Sequence, residues 1–176
     1  MAILLQVAQL GNKILRSKAK PVKDVSDPKT QQLIDDMLAT LIESEGLGIA
    51  APQIYQSLQI FYVASHPNSR YPDAPTMKPL AIINPVILKS SEEIYKDWEG
   101  CLSIPGLRGF VPRPREVSVE FTDRKGNRRR KTFKDLIGRI FQHEFDHIQG
   151  ILFVDRVESG MDYMTDKEFQ KYITKK

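Results

Sequence analysis

The chain has 176 residues, of which 41% are apolar and 27% are charged, and its net charge is +4. These values are ordinary for a globular protein and exclude wholesale disorder. The sequence contains no uninterrupted apolar run long enough to cross a bilayer, so no transmembrane helix is expected. The length predicts a single domain over residues 1–176. The first residues carry no positive charge, so no signal peptide is expected. The single cysteine, Cys101, excludes an internal disulfide and favours a reducing, intracellular setting.

The first predicted element is a helix that Asp27 caps and Pro28 begins, with apolar residues at helical spacing along one face. Two apolar, β-rich runs follow over residues 59–64 and 80–83, and both predict strands. Residues 65–79 lie between these runs and contain four prolines, which predicts a surface loop.

A β-hairpin is predicted next. Residues 115–123 alternate between apolar and polar, residues 125–127 supply turn chemistry, and residues 128–133 can return as the partner strand. This hairpin carries the basic cluster, which consists of Arg124, Lys125, Arg128, Arg129, Arg130 and Lys131. The sequence favours a solvent-facing hairpin for this cluster, and the alternative is an RNA-binding patch.

Asp135 is predicted to cap a second helix that ends at Gly150. Because apolar residues cover most of its sides, this helix is expected to be buried. A short C-terminal helix is predicted over residues 162–174. The fold class is therefore α+β, with antiparallel strands packed around a buried central helix, an N-terminal helix and a short C-terminal helix.

The central helix contains an HExxH pattern at residues 143–147. His143 and His147 are four residues apart, so both imidazoles can converge on one metal ion. Glu144 points to one side and can reach a water on that metal without being a ligand. Asp146 can pair with an arginine such as Arg113, either in support of the ligands or as a structural ion pair.

The third metal ligand must come from elsewhere in the chain. No histidine follows His147, and His66 lies in the predicted surface loop. Cys101 is the better candidate. Its thiolate would complete a His₂Cys site, and such a site leaves one coordination position open for catalysis. The alternative for this lone cysteine is that it is a small buried apolar side chain.

Residues 46–53 form a run of small residues before Gln53. Small residues allow another backbone to approach closely, and the glutamine offers an amide donor. The alternative is a helix C-cap followed by a close-packed turn. A phosphate-binding loop is excluded, since no Gly-Lys-Ser/Thr follows.

Taken in order, three segments of the chain resemble the peptide deformylase family, whose motifs are GxGxAAxQ, EGCLS and HExDH. They stand here at residues 46–53, 99–103 and 143–147, and each match is complete. One departure is Tyr55, where the family often has a glycine. The resemblance implies a metal-dependent hydrolase that removes the formyl group from the N-terminal formyl-methionine of new polypeptides and releases formate.

The resemblance also implies roles for individual residues. It places three residues on one divalent metal, namely Cys101, His143 and His147. Glu144 is the general base and then the general acid, while Gln53 and the backbone N–H of Leu102 form the oxyanion hole. The family uses Fe²⁺ in the cell, and Zn²⁺, Ni²⁺ or Co²⁺ can substitute.

Substrate contacts are expected on two segments. Leu136 and Ile140 lie on the helix face that leads to the metal, so they are expected to line the methionine pocket. The glycine-rich segment is expected to contact the substrate through Gly46, Leu47 and Gly48.

Two other function classes remain open from the residues alone. A zinc metallopeptidase would share HExxH, although a cysteine ligand within EGCLS favours the deformylase. An RNA- or ribosome-binding module would use the basic cluster. The expected partners are N-formyl-methionyl nascent peptides, with weak ribosome contact, no membrane and no specific DNA binding. The expected location is the bacterial cytoplasm, and a mature organellar form remains open.

Overall fold

The computed structural model describes residues 2–68 and 71–174. The helices in this part of the chain are α1 (Pro28–Glu43), α2 (Asp135–Gln149) and α3 (Asp166–Ile173). Its strands are β1 (Gly48–Ala50), β2 (Ile60–Ser65), β3 (Met77–Ser90), β4 (Ile94–Cys101), β5 (Ile104–Pro114), β6 (Glu116–Thr122), β7 (Arg128–Lys134) and β8 (Tyr163–Thr165). The predicted α+β class with antiparallel strands is confirmed.

The larger sheet has five antiparallel strands in the order β1-β2-β3-β6-β7, with a helix on each face. Side chains alternate across a strand, so β2 supplies both cores. Phe61 packs in the core that contains Phe141 of α2, while Ile60 packs in the core that contains Ile34 and Met37 of α1. Helix α2 is therefore buried, as its sequence predicts.

The smaller sheet has the order β4-β5-β8, and its own core includes Leu15, Val111 and Phe153. Helix α3 packs on this sheet through aromatic contacts, since the rings of Trp98 and Phe169 lie 6.2 Å apart. The core of this sheet reaches the side of α2 that carries the histidines, because Phe153, which packs in that core, stacks on His143.

The predicted hairpin is confirmed as strands β6 and β7. Its basic side chains face solvent, and several of them pair with acidic residues on the same hairpin. Arg128 and Arg130 pair with Glu120, and Arg129 pairs with Asp123 at 2.8 Å. Four of the six basic side chains in the cluster, including Arg124 with Asp35, therefore have an acidic partner, and three carboxylates offset part of the positive charge.

Several boundaries differ from those predicted. Strand β3 begins at Met77, inside the predicted loop, and the C-terminal helix begins at Asp166 because residues 163–165 pair with β5 as β8. Strand β3 continues through Asn84 and Pro85, because the register shifts there and the Asn84 side chain exchanges hydrogen bonds with the Val22 backbone instead. Asp135 is the first residue of α2 rather than its N-cap, and its carboxylate pairs with Arg115 at 2.8 Å.

Candidate metal centre

The small-residue segment turns sharply after β1 into a 3-10 helix over Ala51–Ile54, which buries Gln53. The amide oxygen of Gln53 accepts a hydrogen bond from the backbone of Ala50 at 2.8 Å. This contact fixes the orientation of the amide, so its nitrogen lies 3.4 Å from the Cys101 sulfur and 3.2 Å from the Ser103 hydroxyl. Tyr55 ends this turn in the left-handed region at φ 62°, a conformation that explains why glycine suits this position.

Cys101 ends β4 at the turn into β5, where the register of the two strands shifts. Its sulfur lies 3.2 Å from Nε2 of His147. The ligand atoms of Cys101, His143 and His147 all lie within 4.8 Å of one another. Helix α2 provides both imidazoles, and their rings are 5.1 Å apart.

This group of three side chains fits a metal ion. Tetrahedral coordination by one thiolate and two imidazoles requires ligand atoms about 3.3–3.6 Å apart. The Cys101–His147 pair is already near that spacing at 3.2 Å, and the widest pair, at up to 4.8 Å, would have to close by about 1.2 Å. Burial lowers the pKa of His147 well below its usual value and so favours the neutral ring that a metal ligand needs. Burial acts in the same direction on His143, but contacts with Cys101 and Glu99 outweigh it and raise the pKa of His143 well above its usual value, so a metal would displace a proton there.

Glu99 orients the imidazole of His143. Burial opposes ionisation of Glu99, yet the charge and hydrogen bonds of Arg113 outweigh it and hold the Glu99 pKa well below its usual range. An ionised carboxylate only accepts hydrogen bonds, so Nδ1 of His143 donates to Glu99 at 2.8 Å. The other ring nitrogen, Nε2, is then available to a metal. The predicted pairing of Asp146 with Arg113 is confirmed at 2.8 Å.

Glu144 is buried beside this group, with 4% of its surface exposed. Its Oε2 atom has no hydrogen-bond partner within the described residues. Burial raises the pKa of this carboxyl to about 7, close to the value that general acid–base chemistry requires near neutral pH. Gly48 makes room for it, because a Cβ at that position would lie 2.7 Å from Cδ of Glu144.

A cavity of about 240 Å³ opens onto these side chains. It is lined by nearly all the residues that the sequence singles out, namely Gly46, Leu47, Gly48, Gln53, Cys101, Leu102, Leu136, Ile140, His143 and Glu144. His147 is not among the lining residues; it is buried, and its Nε2 atom lies 3.2 Å from the Cys101 sulfur. The cavity is also lined by four residues that no sequence motif marks, namely Tyr71, Arg108, Arg139 and Asp166. No local pattern marks them, because separate elements bring them together.

The helices of the described segments are all too short or too polar to cross a membrane.

Comparison with known proteins agrees with this geometry. A family model described as polypeptide deformylase matches residues 4–162. Peptide deformylase 2 of Nostoc sp. is 54% identical over 172 residues, which are 98% of this chain and 96% of that protein.

Solved structures show the same likeness. A class I type b peptide deformylase from Acinetobacter baumannii with Met-Ala-Ser bound has a TM-score of 0.87 at 45% identity, covering 89% of this chain and 100% of that one. A peptide deformylase from Synechococcus elongatus in complex with actinonin has a TM-score of 0.79 at 35% identity, covering 98% and 85%. The chain therefore belongs to the polypeptide deformylase family, whose enzymes remove the N-formyl group from nascent peptides.

Proposed function

We propose that residues 1–176 act as one catalytic domain that hydrolyses the formyl group from N-terminal formyl-methionine with the help of a single divalent metal. Cys101, His143 and His147 would hold this metal, and their convergence beside an unpartnered buried carboxylate is the observation that carries the proposal. When bound, the metal would act as a Lewis acid and make water nucleophilic near neutral pH. From the family resemblance we propose Fe²⁺ in the cell, with Zn²⁺, Ni²⁺ or Co²⁺ able to substitute.

Glu144 moves the proton in this proposal. Its carboxylate accepts a proton from the attacking water and later gives it to the departing amine, which otherwise would have to leave as an anion. Burial favours the neutral acid, so it strengthens the carboxylate as a base and keeps the proton on Glu144 until the amine departs. A free Oε2 atom supports the same role, since no protein donor has to be displaced first.

Gln53 and Leu102 stabilise the negative charge that develops on the formyl oxygen. The amide nitrogen of Gln53 is directed to the Cys101 side of the cavity, and Leu102 lines the same wall. Donors that are fixed before the reaction stabilise such an oxyanion without reorganisation. The amide of Gln53 is fixed in this way by its contact with Ala50.

The residues around the cavity favour a substrate that has an extended backbone and one apolar side chain. β1 lies at the edge of its sheet, so its outer backbone groups can pair with an extended peptide. Gly46, Leu47 and Gly48 border the cavity at this edge. Leu136 and Ile140 also line the cavity and are proposed to contact the methionine side chain.

A comparison of three peptides tests the proposed function. The expected substrate is formyl-Met-Ala-Ser, from which the protein should release formate. Acetyl-Met-Ala-Ser should react at least about a hundredfold more slowly, because the extra methyl group does not fit beside the metal. A longer unformylated peptide should remain intact, and its cleavage at an internal bond would instead identify a metallopeptidase.

The Gln53 assignment makes a quantitative prediction. Gln53→Ala should lower kcat/KM about a hundredfold, since it removes one oxyanion donor, while one metal per chain is retained. Ser103→Ala is the matched control, because it removes a partner of the Gln53 amide but leaves the amide itself. A loss below about threefold in Gln53→Ala would reduce Gln53 to a turn residue.

A second prediction concerns the space for Glu144. In Gly48→Ala the new methyl group would overlap the Glu144 side chain and displace it. A displacement of this size at a reacting group is expected to lower kcat about a hundredfold, with metal content unchanged. Gly160→Ala is the control, because no atom lies within 4 Å of a Cβ at that position. A kcat equal to that of the unmodified protein would show that the position of Glu144 is not critical.

The proposed partners are N-formyl-methionyl nascent peptides, with weak ribosome contact and no membrane or specific DNA binding. The paired charges of the basic hairpin support weak rather than tight contact with RNA. A salt titration of RNA affinity tests this, since each phosphate contact steepens the dependence. The proposed location is the cytoplasm of a bacterium, or an organelle in the mature form.

A further inference from the structure

Arg139 is a buried charge that the proposed reaction does not use. It lies on α2, four residues before His143, and only 3% of its surface is exposed. Its Nη1 atom donates to Oε1 of Glu99 at 2.8 Å and to the backbone oxygen of Val111 at 2.9 Å. Its Nη2 atom donates to the backbone oxygen of Tyr95 at 2.9 Å. The Arg139 guanidinium therefore links α2 by hydrogen bonds to both β4 and β5.

The carboxylate of Glu99 accepts four hydrogen bonds, two at each oxygen. Arg113 supplies one to Oε1 at 2.6 Å and one to Oε2 at 2.9 Å. The other two come from adjacent turns of α2, with Arg139 on Oε1 and His143 on Oε2. A carboxylate offers about four lone-pair positions, so this set is complete.

Arg139 and His143, the two hydrogen-bond donors on α2, contact the same carboxylate. Residues four apart on a helix lie on one face, so Arg139 and His143 meet the same carboxylate from the same side. Without Arg139, the His143 ring itself would be the remaining hydrogen bond from α2 to Glu99 among the contacts described. Arg113 would still hold both carboxylate oxygens, but the contact that fixes Oε1 relative to α2 would be gone, so the position of Glu99 against the His143 ring would be less constrained.

We propose that Arg139 is a positioning residue, which fixes Glu99 and, through it, the orientation and tautomer of His143, so that Nε2 of His143 stays directed at the metal. This inference rests on the proposed function, because it takes His143 as a metal ligand. Partners of metal-ligating histidines typically change metal affinity by about 10–100-fold when they are removed.

The test compares Arg139→Met, which keeps the apolar stem, with Arg139→Lys, which keeps the charge without the planar fork. Arg124→Met is the matched control, since Arg124 pairs with Asp35 on the surface. Zinc-loaded protein is mixed with excess chelator and the rate of zinc release is measured. Arg139→Met should release zinc about 10–100-fold faster, Arg139→Lys should fall between, and Arg124→Met should match the unmodified protein.

Two further readouts separate positioning from loss of stability. The absorption spectrum of the cobalt-loaded protein should shift in Arg139→Met, because the geometry of an imidazole ligand changes. Urea unfolding of the metal-free proteins measures how far each variant is destabilised. Zinc release and a cobalt spectrum unchanged from the unmodified protein would overturn the proposal. Faster release with an unchanged spectrum would also overturn it, since the variant would then act through stability alone.

If Arg139→Met does not fold, Arg139→Lys decides the matter by the same two measurements. A lysine has no planar fork and cannot reproduce all three contacts, so faster release with a shifted spectrum is expected. Failure of the proposed function would look different. The unmodified protein would then hold no zinc, or would hold it without releasing formate from formyl-Met-Ala-Ser, whereas failure of the present proposal leaves both properties intact and zinc release insensitive to Arg139.

Discussion

Glu144→Gln is expected to lower kcat by at least about 10²-fold, and by about 10⁴-fold if no other group takes over either proton transfer. The amide keeps the size of the side chain but cannot accept a proton from water. Metal content and affinity for a formyl-peptide analogue should stay near those of the unmodified protein, because Glu144 is not one of the three clustered ligands. All three quantities are measured on the same preparation.

Glu116→Gln is the matched control for this experiment. It makes the same chemical change at a partly exposed residue that pairs with Lys134 on the hairpin and does not line the cavity. Its kcat should match that of the unmodified protein. A kcat within tenfold in Glu144→Gln would place the proton shuttle elsewhere. Loss of metal together with activity would reassign Glu144 to holding the site together.

The second large effect is expected from Cys101→Ala, which leaves two imidazoles and no thiolate. Removing a partner of a ligand costs about 10–100-fold in metal affinity, so removing the ligand itself should cost more than about 10²-fold. After dialysis against a chelator, the variant should hold almost no metal while the unmodified protein retains it. Ser103→Ala, two residues away, is the control. One metal per chain with normal activity in Cys101→Ala would contradict the Cys/His/His assignment.

Helices α1 and α2, strand β2 and the β6–β7 hairpin could be predicted because each has a local pattern. Helical spacing, strand alternation and turn residues act over a few positions. Strands β4 and β5 have no such pattern, since residues 94–114 are interrupted by glycines and prolines. They are held by pairing with each other and by contact with α2, which a linear pattern does not contain.

The candidate site likewise contains residues that a local motif predicts and residues that only the fold brings together. The residues nearest the proposed metal stand in three local motifs, and the structure brings those motifs together around one cavity. The buried network of Glu99, Arg113 and Arg139 could not be predicted in full, because its members come from three elements that meet only in the fold. An arginine in a helix usually faces solvent, so the sequence of α2 does not mark Arg139 as buried.

Deformylation is proposed to depend on one metal held by Cys101, His143 and His147. The decisive measurement returns Fe²⁺ to chelator-stripped protein without oxygen and follows the formate released from formyl-Met-Ala-Ser. We expect no turnover without metal, then a linear rise that levels off at one equivalent per chain. Formate release at full rate from the stripped protein, or activity that does not follow the added metal, would contradict the proposal.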